Sequence, residues 1–175
     1  ISKHNGNIDW NAVKNSGVQY VILRCGYRGS ASGVLVEDQK FKSNIQGATA
    51  AGLKVGIYFF SQAVNEVEAV EEASMTLSLI KNYRITYPVY IDVESANGRA
   101  DGISKAARTS VINAFCQTIR NSGYTPGLYA NKNWLTEKEF LDQIAVHYET
   151  GEKIPQELIR KLDSDSLIGA SERDK

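Results

Sequence analysis

Tyr87-Pro88-Val89-Tyr90-Ile91-Asp92-Val93-Glu94 reads as an apolar strand that ends in two carboxylates at i and i+2. Strand side chains alternate faces, so Asp92 and Glu94 point the same way, with Cα atoms about 6–7 Å apart. Two acids on one face raise each other's pKa. Such a pair can hold one carboxyl protonated and the other ionised, the arrangement that general acid catalysis of glycoside hydrolysis needs. At an exposed strand end the same residues would be two solvated acids, so the neighbouring segments decide between the readings.

Outward from this strand, apolar runs alternate with amphipathic ones. Residues 18–27, 54–61 and 126–131 read as further strands, rich in β-branched and aromatic side chains. Residues 38–51 read as a helix with Phe41, Ile45 and Ala48 at helical spacing and Gly52 as its stop. Residues 65–79 read as a second helix, capped by Asn65 with Glu66 and Glu68 in its first turn. Residues 104–121 form a third, with Ala107, Val111, Ala114, Phe115 and Ile119 on one side and Gly123 ending it. This order predicts right-handed βαβ units and a parallel sheet, either a closed barrel or an open doubly wound sheet. No Gly-rich phosphate loop follows a strand, which disfavours a nucleotide-binding open sheet. Polar and aromatic residues gather instead at strand C-terminal ends: Arg24 and Tyr27, Tyr58 and Phe60, Asp92 and Glu94, Tyr129 and Asn131. In a (β/α) barrel those ends make the active-site face. The expected fold class is therefore α/β, a TIM-like barrel left incomplete because only four such strands are found. After Trp134 the pattern stops. Residues 137–148 read as an amphipathic helix, Glu149-Thr150-Gly151 as a turn, and a short helix begins near Pro155. Residues 1–135 are thus the expected barrel portion, and residues 136–175 a helical tail, packed on it or carried as a passenger.

Composition excludes some partners. The 20 Lys and Arg balance the 20 Asp and Glu, and no basic cluster stands out, so no field attracts nucleic acid or an anionic membrane. No stretch reads as a membrane span or a signal peptide. Cys25 and Cys116 fall on apolar faces and read as buried thiols. His4 and His147 lack metal-ligand spacing, and no metal or other cofactor is expected. Arg24 is an anomaly in an apolar strand because its charge needs a partner there, either an inward carboxylate such as Asp92 or a structural ion pair. Tyr58 and Phe60 read equally as barrel core or as ligand contacts, and Trp134 as a cleft wall or a lid over a helix.

Five ordered segments resemble the glycoside hydrolase family 25 lysozymes. They are Ser2-Lys3-His4-Asn5-Gly6-Asn7-Ile8-Asp9-Trp10, Tyr20-Val21-Ile22-Leu23-Arg24-Cys25-Gly26-Tyr27, the stretch from Ala50 to Ser61, Ile91-Asp92-Val93-Glu94, and Gly127-Leu128-Tyr129-Ala130-Asn131-Lys132-Asn133-Trp134. The resemblance implies cleavage of the β-1,4 bond from N-acetylmuramic acid to N-acetylglucosamine in peptidoglycan. Glu94 would be the general acid. Asp92 would stay ionised and stabilise the developing charge or orient the substrate acetamido group, whose oxygen serves as an internal nucleophile. Tyr58, Phe60, Tyr129, Asn131, Trp134 and Arg24 would contact the glycan. A peptidoglycan strand is the implied partner, with no nucleic acid or membrane, for a monomer that is secreted or associated with the cell wall.

The family's first strand ends in an aspartate just before the position of Ile1, and the last strands of the family are not recognised in residues 137–175. Impaired activity is the resulting expectation, with a non-catalytic glycan-binding module or an inactive chimeric fusion as alternatives. Residues 147–162 weakly resemble a helical segment of thimet-oligopeptidase-type zinc peptidases. They lack a His-Glu-x-x-His signature, and no peptidase function is carried over.

Overall fold

The computed structural model describes residues 1–130, so Asn131, Trp134 and the expected tail helices of 136–175 fall outside the described residues. Five strands form one mixed sheet: β1 (Tyr20–Arg28), β2 (Leu35–Glu37), β3 (Lys54–Phe60), β4 (Val89–Val93) and β5 (Pro126–Ala130), in the order β2-β1-β3-β4-β5. The contacts β1/β3, β3/β4 and β4/β5 are parallel. Strand β2 is antiparallel to β1, a hairpin strand that the parallel expectation omits. Its three residues are too short to display a two-residue period.

Helix α1 (Trp10–Asn15) was not anticipated either; the Asp9 carboxylate caps it, accepting from the Asn11 and Ala12 amides. Helix α2 (Phe41–Ala50) starts at the first residue of its apolar spacing, three residues later than the expected 38–51. Asp38 explains the delay, because its side chain takes the Lys40 amide and its carbonyl takes the Phe41 amide, which makes a turn of residues 38–41. Helices α3 (Glu66–Ile80) and α4 (Lys105–Asn121) begin at Asn65 and Ser104, whose side chains accept from the Glu68 and Ala107 amides.

Strand order advances in one direction from β1 through β3 and β4 to β5, with α2, α3 and α4 in the three crossovers. Right-handed crossovers in a constant direction place all three helices on one face of the sheet. That face carries the core: Leu23, Cys25, Ile57, Phe59 and Ile91 are fully buried with Phe41, Ile45, Phe115 and Ile119 of the helices. Each such side chain contributes about 1.5–3 kcal/mol of transfer free energy. Burial also pushes the Cys25 thiol up to about 12, which leaves it unreactive.

The opposite face holds the polar and aromatic residues. A bulge in β1 decides which ones. Arg24 pairs with Tyr58 but Gly26 with Phe59 and Tyr27 with Phe60, so one residue, Cys25, is extra on β1. The irregularity puts both Arg24 and Tyr27 on the face opposite the helices, where the guanidinium lies 5.2 Å from the Tyr27 ring centre. Without it, Tyr27 would point among the helices.

Candidate active site

Register builds the site in rows. At the C-terminal end of the sheet Tyr27, Phe60, Asp92 and Tyr129 stand side by side on β1, β3, β4 and β5. One pleat below are Arg24, Tyr58, Tyr90 and Gly127. Adjacent members of a row are about 4.8 Å apart. Glu94 follows Asp92 by two residues and rises above the upper row. The Tyr90 ring lies over Gly127, where an added Cβ would come within 2.4 Å of the ring Cδ1, so β5 needs a glycine at this level.

The two carboxylates differ in surroundings. Asp92 is 6% exposed, and its Oδ1 is buried with no hydrogen-bond partner among the described residues. Burial first, and the Glu94 charge second, hold its carboxyl well above the usual range, while Arg24 opposes them. Glu94 is half-buried. Burial raises its pKa as well, and a hydrogen bond from the Tyr129 hydroxyl partly offsets the rise. Burial and the two carboxylates push the Tyr129 phenol upward, so it remains a neutral donor. Tyr58 is likewise raised, chiefly by burial, and its hydroxyl bonds the Ser2 side chain. Phe60 is half-buried between Tyr27 and Asp92 in the upper row.

Arg24 has Asp38 as its ion-pair partner, Nε to Oδ2 at 2.7 Å, with side chains 12% and 0% exposed. Asp38 also accepts the Lys3 and Lys40 amides. One guanidinium nitrogen, Nη2, is buried with no partner among the described residues. Asp38 was absent from the sequence candidates, although an aspartate three residues ahead of an apolar helix is a visible turn signal. Ser2 and Tyr90 also lie beside the site without having been singled out; the alternation of β4 places Tyr90 on the face of Asp92 and could have found it. Among the described residues no group of three His, Cys, Asp or Glu could hold a metal ion.

The chain as a whole has relatives among known proteins. The sequence profile of the family described as glycosyl hydrolases family 25 matches residues 1–150. The chain belongs to this family. The family 25 match runs past residue 135 and takes in Asn131 and Trp134. An autolytic lysozyme of Clostridium acetobutylicum is 30% identical over 130 residues, 74% of this chain and 36% of the relative. An N,O-diacetylmuramidase of Arthroderma benhamiae is 26% identical over 140 residues, 77% of this chain and 57% of the relative. The chain thus spans between about a third and three fifths of the length of these curated relatives. The solved modular autolysin LytC of Streptococcus pneumoniae superposes with a TM-score of 0.67 at 32% identity, over 77% of this chain and 32% of that one. A further structure of that autolysin is a complex with a synthetic peptidoglycan ligand. Its likeness extends to the mixed α/β sheet.

Proposed function

We propose that this family 25 chain carries the acid pair of a muramidase, a glycoside hydrolase that cleaves the β-1,4 link from N-acetylmuramic acid to N-acetylglucosamine in peptidoglycan. The observation that carries the reading is Asp92 near the end of β4 with Glu94 just past it, the two linked through Tyr129, which pairs with Asp92 and donates to Glu94, and both shifted toward the protonated form. Burial and mutual repulsion thus favour a proton held between the two carboxyls. In the unliganded site burial favours that proton on Asp92. An acetamido N–H donated to the bare Asp92 Oδ1 would favour the aspartate anion and leave the proton on Glu94, beside the glycosidic oxygen. Glu94 protonates the leaving oxygen as the C–O bond breaks, and Asp92 stabilises the positive charge that develops on the sugar.

Tyr58, Phe60 and Tyr129 are proposed to line the glycan cleft, with Asn131 and Trp134 added from the family resemblance. Arg24 takes a place beneath them, since Asp38 engages its Nε and its Nη2 has a hydrogen bond to give. The one-directional sheet, with its helices on one face, supports a portion of a (β/α) barrel over residues 1–135. Action outside the cell, on the wall, follows from the substrate class.

The test is release of reducing ends from purified cell walls by the chain, its Glu94→Gln variant and its Asp92→Asn variant. Wild-type release that falls by at least about 100-fold in Glu94→Gln supports the assignment. Binding of glycan with no release by the wild type would overturn it in favour of a binding module.

A further inference from the structure

Among the described residues the Glu94 carboxyl takes a hydrogen bond from Tyr129, and its position depends also on the backbone that follows it. That backbone, residues 95–104, leads from β4 to α4 and closes on itself. Ser95 Oγ donates to Asp101 Oδ2 at 2.7 Å, the Ala96 amide to Asp101 Oδ1 at 3.2 Å, and the Asp101 amide to the Gly98 carbonyl at 3.1 Å. Asn97 turns the chain with φ of 49°. The closed turn is then fastened to the rest of the molecule through Arg99 and through Ala100, whose amide donates to Gln62 Oε1 at 3.5 Å and whose carbonyl accepts from Arg108 at 3.2 Å.

Arg99 makes a fork with Glu68 of α3, Nη1 to Oε2 at 2.7 Å and Nη2 to Oε1 at 2.8 Å. Its Nη1 also reaches the Gln62 carbonyl at 3.5 Å, and its amide donates to the Ser30 carbonyl at 3.0 Å. The guanidinium lies against Gly33, where a Cβ would stand 3.0 Å from Nη1. Glu68 is itself held in place. Its Oε2 accepts the Val64 amide at 3.0 Å, and its carbonyl accepts from Arg28 at 2.9 Å. Burial pushes the Glu68 carboxyl up, yet the Arg99 fork and the Val64 amide bring it below the usual range, so it stays ionised. One side chain thus joins the segments that follow β1, β3 and β4.

On the proposed reading of the site, we infer that Arg99 is a positioning residue for Glu94: clamped to Glu68, it fixes the turn that follows the acid and thereby sets where the acid is presented. A bidentate fork restricts orientation as well as distance, which a single ammonium cannot do. Misplacement of a catalytic group by about 1 Å can cost about 100-fold in rate.

The experiment uses the full chain with Arg99→Lys, Arg99→Ala and Glu68→Gln. Two readouts are taken on each folded variant: amide hydrogen exchange across residues 95–101 without substrate, and kcat and KM on solubilised peptidoglycan glycan. Expected are faster exchange in this turn and a kcat lowered about 10-fold or more, with KM within about 2-fold and Arg99→Lys recovering only part of the loss. Unchanged exchange in folded Arg99→Ala overturns the clamp. Normal kcat in that variant despite faster exchange overturns the link to Glu94. If the wild type proves inactive on glycan, the muramidase reading fails by itself. The inference is then decided by exchange together with the Glu94 carboxyl titration followed by NMR: movement of both in Arg99→Ala supports it, and constancy of either overturns it.

Discussion

At the residue scale, the site depends on how each charge is answered. Tyr129 donates to Glu94 and so favours the ionised form of the acid. Tyr129→Phe removes that hydrogen bond, and the Glu94 pKa rises further. As the proposed general acid Glu94 must be protonated to act, so the alkaline limb of the pH profile for reducing-end release should move to higher pH, and a move to lower pH would contradict the proposal. Replacing Glu94 by Gln deletes the like charge beside Asp92. The Asp92 pKa should then fall, as read from its carboxyl carbon shift in an NMR titration. Asp38 is the third charge to consider. Asp38→Asn leaves Arg24 largely buried without its counter-ion, at a cost of about 3–5 kcal/mol measurable by urea unfolding.

At the element scale, strands and helices were legible where a period ran long enough to be counted. Residues 54–60, 105–121 and 126–130 form the elements that their patterns predict. The short β2 and α1 were not legible, because three or six residues carry no reliable period and their stability comes from pairing with β1 and from the Asp9 cap. The pairing of Arg24 was open for a related reason. Asp38 lies 14 residues away along the chain, and only the folding back of residues 35–41 brings its carboxylate to the guanidinium. The expected shared face of Asp92 and Glu94 needed nothing beyond strand alternation, carried one residue past the end of β4. Gly127 offers a test of element packing. Gly127→Ala should cost about 1–3 kcal/mol and shift the Tyr90 ring, which near-ultraviolet circular dichroism with urea unfolding would detect.

At the scale of the molecule, a second charged group lies under the helix face. Glu72 is fully buried. Its Oε1 meets Arg28 Nε at 2.9 Å, while Oε2 is bare among the described residues. Burial outweighs the Ser61 and Arg28 hydrogen bonds and raises the Glu72 carboxyl from 4.5 to about 7. Arg28 keeps its charge because Glu71 and two backbone carbonyls share it. A carboxyl raised on folding gives stability that is complete below its unfolded pKa and is lost as pH climbs through the folded value. Global stability should therefore decline by up to about 3 kcal/mol between about pH 4.5 and 7 from this group, and Glu72→Gln should flatten that slope in urea titrations. A slope unchanged by the substitution would mean that other carboxyls set it.

The bulge at Cys25 links these scales. On one side of it β1 obeys the alternation that buries Leu23; beyond it the same strand obeys the opposite parity, giving Tyr27 to the face of Asp92 and Arg28 to the Glu72 network. The strand works as two short rulers joined half a pleat out of phase. Loss of Cys25 would merge them without moving any of these side chains to a new face, whereas straightening the bulge with every residue kept would exchange the fates of Tyr27 and Arg28 and break the buried ion network.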